Sequence, residues 1–172
     1  MKITLVEYNP DWPKAFEQEY RLLLHTLEDS VAQIEHIGST SVPGLVSKPI
    51  IDIMVGLADF SMADSLVPKI VNLGYTYFPE FEDVLPNRRF FKKLLGGEAT
   101  HHIHMTEIGS EFWQRHLLFR NYLRCNRETA EEYASLKKEL AKQDWEVSND
   151  FAEAKTDFIK RVEEQAALHK NS

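Results

Sequence analysis

Hydrophobic and polar positions change rhythm along this chain, and the changes mark its elements. Trp12, Phe16, Tyr20, Leu23 and Leu27 fall at steps of three and four. That spacing lays one apolar stripe on an amphipathic helix. Asp11 is its expected cap, and Pro13 is tolerated in the first turn. Before it, KITLVEY (2–8) reads as a first strand. AQIEHIG (32–38) reads as a second and runs into the small-residue loop GSTSVPG (38–44). KPIIDIMVGL (48–57) is too short and too β-branched for a helix of average length, which predicts a buried strand. A helix is expected from Met62 to Leu73, stopped by Gly74.

YTYF (75–78) and RRFFKKLL (88–95) read as strands, and Gly96-Gly97 turns the chain into the alternating strand THHIHMTEI (100–108). From Glu111 the rhythm becomes helical, with segments near 111–126, 128–145 and 150–169 and Asn149 as the cap of the last. The predicted class is α/β (α+β): a mixed β-sheet with flanking helices and a helical C-terminal segment. We read 1–172 as one domain, with a sheet-rich core over 1–108 and helices over 109–172. No internal repeat or low-complexity tract interrupts it.

Composition narrows the partners. The 172 residues are 43% hydrophobic and 27% charged, with a net charge of −7. Such a balance disfavours coating a nucleic acid, which needs a basic surface field. A local basic pocket for phosphates is compatible with it. The lone cysteine, Cys125, fits a reducing compartment. No signal-peptide pattern opens the chain and no apolar run approaches the ~18 residues of a membrane span. A cytoplasmic protein with no membrane partner is expected.

The segment HIGSTSVPGLVSKPIIDIMV (36–55) carries the most chemistry. Gly38 lets backbone approach a bulky anion. Ser39, Thr40 and Ser41 offer hydroxyl and amide donors for a phosphate. Asp52, flanked by Ile51 and Ile53, is a carboxylate on a buried strand and needs a cation or donors. A hard cation such as Mg²⁺, itself bound to phosphate oxygens, meets that need. The competing reading is an ordinary Gly-Ser turn with an acid capping a nearby helix. No Gly-Lys-Ser or Gly-Lys-Thr occurs, so this is not a P-loop.

The run HIGSTSVPGLVSKPIIDI resembles the signature of the GrpB family, within the nucleotidyltransferase-fold superfamily. VEYNPDWPKAFEQE, HHIHM, HLLFRNYLR and EYASLK resemble further blocks of it, in order, over nearly the whole chain. The resemblance implies a nucleotidyltransferase-like sheet, with Gly38-Ser39 near a nucleotide's phosphates and Asp52 as a Mg²⁺ ligand. The superfamily pattern has two acids at i and i+2 on this strand, and here Met54 holds the second position. Some family members are fused to a dephospho-coenzyme A kinase. The implied ligand is a nucleotide or phosphorylated metabolite, handled by nucleotidyl or phosphoryl transfer or, given Met54, by binding alone.

His102 and His104 share one strand face, opposite Ile103 and Met105. They can line a phosphate pocket, sit half-exposed, or join a metal set with His36 or Asp52. No cysteine spacing or HExxH supports zinc. His104 is the candidate general base. Arg88 and Lys92 should emerge on one side of their strand, Arg89 and Lys93 on the other, and one pair can reach phosphates or guard an edge. His116, Arg120 and Arg124 recur every four residues, a basic helix stripe that faces either the site or solvent. Arg89, Lys92, Arg120, Arg124, Lys48 beside the loop, and Lys137 one turn after Tyr133 are the candidate phosphate contacts. The aromatic residues Trp12, Phe16, Phe112, Trp113 and Phe119 are expected in packing.

Overall fold

A computed structural model describes residues 4–142 and 155–170. Strands β1 (Gln33–Ile37), β2 (Ile51–Leu57), β3 (Tyr75–Tyr77), β4 (Arg89–Leu95) and β5 (Glu98–Glu107) form one sheet in the order β1-β2-β5-β4-β3. β2 and β5 run parallel and every other neighbouring pair is antiparallel, so the sheet is mixed. The helices are α1 (Trp12–Leu27), α2 (Ala63–Val71), α3 (Glu111–Cys125), α4 (Arg127–Ala141) and α5 (Thr156–Lys170). This is the α/β architecture expected, with helices on both sheet faces and a helical C-terminal segment.

β2 lies inside the sheet and is covered on both sides, which is why its sequence is nearly all apolar. Ile51, Ile53, Val55 and Leu57 point to one face. There they meet Ile103 and Met105 of β5, Phe91 of β4, and the stripes of α1 and α2 (Leu23, Leu27, Leu66, Ile70) in the main core. Asp52, Met54 and Gly56 point to the other face. Met54 packs with Ile37 and Trp113, bringing α3 onto this side. A Cβ on Gly56 would stand 2.6 Å from the Trp113 ring, so only glycine admits that close approach. A third cluster joins Val42 and Leu45 to Leu123 and Tyr133, with Phe158 of α5 against it. The three C-terminal helices therefore roof the Asp52 face.

Some expectations change. The predicted first strand reduces, among the described residues, to a single bridge in which Val6 and Ser47 exchange hydrogen bonds of 2.9 and 3.1 Å. Asp11 stands before α1, but its side chain makes no cap. Its backbone is already helical, and its own N–H donates to Asn9 Oδ1 at 2.9 Å. β4 is interior, with β3 on the edge, so its charges guard no edge. Asn149 and the expected helix limits at 145 and 150 lie outside the described residues.

Candidate functional site

The loop after β1 is built around Gly38, whose φ of 74° is a left-handed value that favours glycine. A Cβ there would fall 2.6 Å from Asp52 Oδ2. The absent side chain thus leaves a cradle beside one carboxylate oxygen. Ser39–Ser41 forms a 3₁₀ turn, closed by Ser41 Oγ donating to the Gly38 carbonyl at 2.5 Å. Ser39 presents its hydroxyl to the crevice.

The parallel register sets Asp52 beside His102 and Met54 beside His104. His104 Nε2 lies 3.2 Å and His102 Nδ1 3.4 Å from Asp52 Oδ1. Burial alone would raise the Asp52 carboxyl, but the hydrogen bonds from these histidines outweigh it and hold it well below the usual range. His104 has a defined tautomer. Arg88 Nη1 can only donate, so at 3.2 Å His104 Nδ1 must accept from it. The ring proton then sits on Nε2 and points at Asp52. Burial lowers the His104 pKa further, keeping the ring neutral.

Opposite this floor, α4 and the residue just before α5 bring lysines. Lys137 Nζ is 2.7 Å from Ser39 Oγ and donates to the Val46 carbonyl at 2.7 Å. It is 2% exposed. Burial, with the charges of Lys155 and Lys48, pushes its pKa down to about 6. Burial also lowers Lys155 and Lys48. Tyr133 shares the cavity wall with Ser39, and burial lifts its pKa to about 12. These groups, with His116, Phe119 and Ile159, enclose a cavity of about 470 Å³.

The structure therefore gathers Gly38, Ser39, Lys48, Asp52, His102, His104 and Lys137 around one hollow. Other candidates lie elsewhere. Arg89 projects from the main-core side of β4, where it pairs with Asp64 at 2.8 Å and Glu82 at 3.3 Å. Thr40 is buried behind the loop, donating to the Ile50 carbonyl and meeting His36 Nε2, each at 3.0 Å. His36 lies on the main-core face, stacked on Phe16, so it cannot complete a metal set with His102 and His104. Arg120 is clamped on Glu35 Oε2 at 2.8 Å and the His36 carbonyl at 3.0 Å. Arg124 donates to the Ser41 carbonyl at 2.9 Å and lines a separate cleft. Lys92 shares the histidine face but sits over the Phe78 ring at 5.1 Å, outside the cavity wall. His104, expected as a base, has both ring nitrogens engaged and no lone pair to offer a substrate.

His116, Tyr133, Lys155, Lys160 and the Arg115–Glu163 pair also line the hollow, and Arg88 touches it only through His104. His116 turns Nδ1 toward the Phe112 carbonyl at 2.8 Å, and burial holds its pKa near 4, so it is neutral. Asp52, His102 and His104 have ligand atoms within 4.8 Å of one another and could hold a metal ion. The His104 tautomer argues against ligation through Nε2. Asp52 Oδ2, beside the Gly38 cradle, fits a hard cation that brings its own phosphate and water oxygens.

Comparison with known proteins follows the same lines. The sequence profile of GrpB protein matches residues 2–165. The UPF0157 protein YqkA of Bacillus subtilis is 38% identical over 96% of this chain, which spans only 47% of that protein. The crystal structure of conserved protein GrpB from Enterococcus faecalis superposes with a TM-score of 0.88 at 36% identity, covering 98% of this chain and 100% of that one. Cid1 in complex with a UTP analog matches with a TM-score of 0.50 at 16% identity, over 78% of this chain and 41% of Cid1, a likeness of fold alone. Among the described residues no helix is long and apolar enough to cross a membrane.

Proposed function

We propose that this chain, which belongs to the GrpB family, binds a nucleotide or related phosphorylated ligand in the crevice between sheet and C-terminal helices, and carries out Mg²⁺-dependent nucleotidyl or phosphoryl transfer. One observation carries the reading: a small-residue loop and the Asp52 carboxylate converge on a cavity walled by Lys48, Lys137 and Lys155. Burying lysines is costly, and an anion entering between them recovers that cost. Ser39 and the loop amides hold phosphate oxygens, and Lys48 and Lys155 offset their charge. Asp52 is the residue that would hold Mg²⁺, which when bound supplies charge neutralisation on the polyphosphate. Sheet and helical roof act as one unit in this reading, since each contributes one wall. Its setting is the cytoplasm, consistent with the lone Cys125.

Thermal unfolding with nucleotides and coenzyme A precursors, with and without Mg²⁺, tests the reading. A ligand at about a hundred times its Kd should stabilise the fold by about 2.7 kcal/mol. Asp52→Asn should abolish the Mg²⁺-dependent part of the shift. No shift with any of these compounds ends the proposal.

A second reading, a non-catalytic module for a nucleotide or coenzyme A-like ligand, is favoured by Met54. It fills the second acid's position, is fully buried, and packs under Trp113. Stable binding of ATP with no product after long incubation selects this reading.

A further inference from the structure

We propose that the acceptor of transfer is the protein's own Ser39: its Oγ takes the terminal phosphoryl group of a nucleoside triphosphate, with Lys137 as the base. The proposal rests on the reading of the crevice as a nucleotide-phosphate site and supplies the acceptor which that reading lacks.

The geometry around Ser39 is that of an activated hydroxyl. Lys137 Nζ is 2.7 Å from Oγ, and among the described residues no carboxylate pairs with it. A buried lysine with no counter-ion is held neutral, and the fall of its pKa to about 6 agrees. A neutral Nζ gives one hydrogen to the Val46 carbonyl at 2.7 Å and has a lone pair for the Ser39 proton. A nucleophile touching a base that a third contact orients is the arrangement such catalysis requires.

The alternatives around the cavity are weaker. Ser47 spends its hydroxyl on the Lys48 carbonyl at 2.7 Å. His104 has no free nitrogen, and His116, whose Nδ1–H faces a carbonyl, keeps an Nε2 lone pair but makes no hydrogen bond to a cavity hydroxyl among the described residues. The second metal-holding acid of the superfamily pattern is replaced by Met54, which does not line the cavity.

In the step, Ser39 Oγ forms a bond to the γ-phosphorus. The bond from that phosphorus to the β–γ bridging oxygen breaks, and its electron pair leaves with the nucleoside diphosphate. The hydroxyl proton moves to Lys137 Nζ. The products are phosphoserine at 39, a nucleoside diphosphate, and a protonated Lys137 that later releases its proton to solvent.

The test incubates the full chain with Mg²⁺ and ATP, GTP, CTP or UTP, follows intact mass, and maps the modified peptide. One phosphate on Ser39 is expected, accompanied by stoichiometric diphosphate. Its initial rate should rise with pH through about 6 and then level off, because the base must be neutral. Lys137→Met should slow labelling by about 10²–10⁴-fold, the usual weight of a general base. Lys137→Arg keeps a positive charge but cannot accept a proton, so labelling should stay equally low. Restored labelling in that variant reduces Lys137 to an electrostatic contact and overturns the base assignment. Both variants are checked for cooperative unfolding, and the pH profile of the unaltered chain tests the same point without a substitution. Nucleotide binding without a phosphate on Ser39 overturns the proposal and leaves the binding reading standing. A nucleotidyl adduct, a mark on another residue, or labelling that persists in Ser39→Ala also overturns it. Absence of any nucleotide binding removes both.

Discussion

The two faces of β2 make opposite use of one strand. On one side Ile51, Ile53, Val55 and Leu57 are sealed into apolar packing with α1 and α2. On the other, displaced by single residues, Asp52 meets two histidines and a lysine-walled hollow. Period-two alternation therefore sorts structural from chemical duty within seven residues. The first face is stabilised by burial. The second contains buried ionisable groups whose cost is only partly met by hydrogen bonds.

The sharpest way to break this contrast is to move the carboxylate across the strand. Ile53→Asp puts an unpaired charge where exposure is 0% and should cost about 5 kcal/mol, enough to unfold most molecules in a urea titration. Asp52→Asn should cost about 2 kcal/mol, because an amide oxygen still accepts from His104 but loses charge assistance. Similar losses for the two would refute the division of labour between the faces.

Arg120 gives an intermediate effect and separates scaffold from pocket. Arg120→Met leaves Glu35 half-buried without its cation and should lower stability by about 3 kcal/mol. Its affinity for any crevice ligand should stay unchanged, since Arg120 does not line the cavity. A selective loss of binding in a folded variant would place it back in the site.

The effect read as a slope against pH concerns Lys137 and has a definite sign. Its folded pKa of about 6 lies below the ordinary lysine value of 10.5, so between the two the unfolded chain binds the extra proton. Stability from this group is therefore lost as pH falls from the upper value toward the lower. Lys137→Met should be more stable than the unaltered chain near neutrality. The slope of unfolding free energy against pH should flatten by about 1.4 kcal/mol per pH unit, one proton's worth. Urea titrations at several pH values above 6 read this directly, and parallel curves would show that Lys137 is charged in the native state.

Much of the floor of the crevice was legible in the sequence. The GSTSVPG loop and the Asp52 strand announce themselves by local composition, and His102 and His104 by alternation. The roof was harder, because it depends on contacts such as Lys137 to Ser39, 98 positions apart. Period two separated Arg88 from Arg89, but Phe90 and Phe91 are both apolar and hid which side faces the core. The stripe on α3 misled for a geometric reason. A step of four residues overshoots one turn by about 40°, so His116 and Arg124 diverge by about 80°. His116 reaches the cavity while Arg120 and Arg124 bind backbone and acid elsewhere.

The packing of Met54 has a consequence for engineering and for sequence drift alike. A Met54→Asp change would set the new carboxylate beneath the indole of Trp113, against Ile37, rather than in contact with the hollow. That indole is itself seated on Gly56, where even one added carbon collides. Reinstating a paired-acid strand thus demands coordinated edits at three or more positions, each unfavourable alone. The solitary carboxylate behaves as a ratcheted trait, shielded from simple reversal by the helix above it.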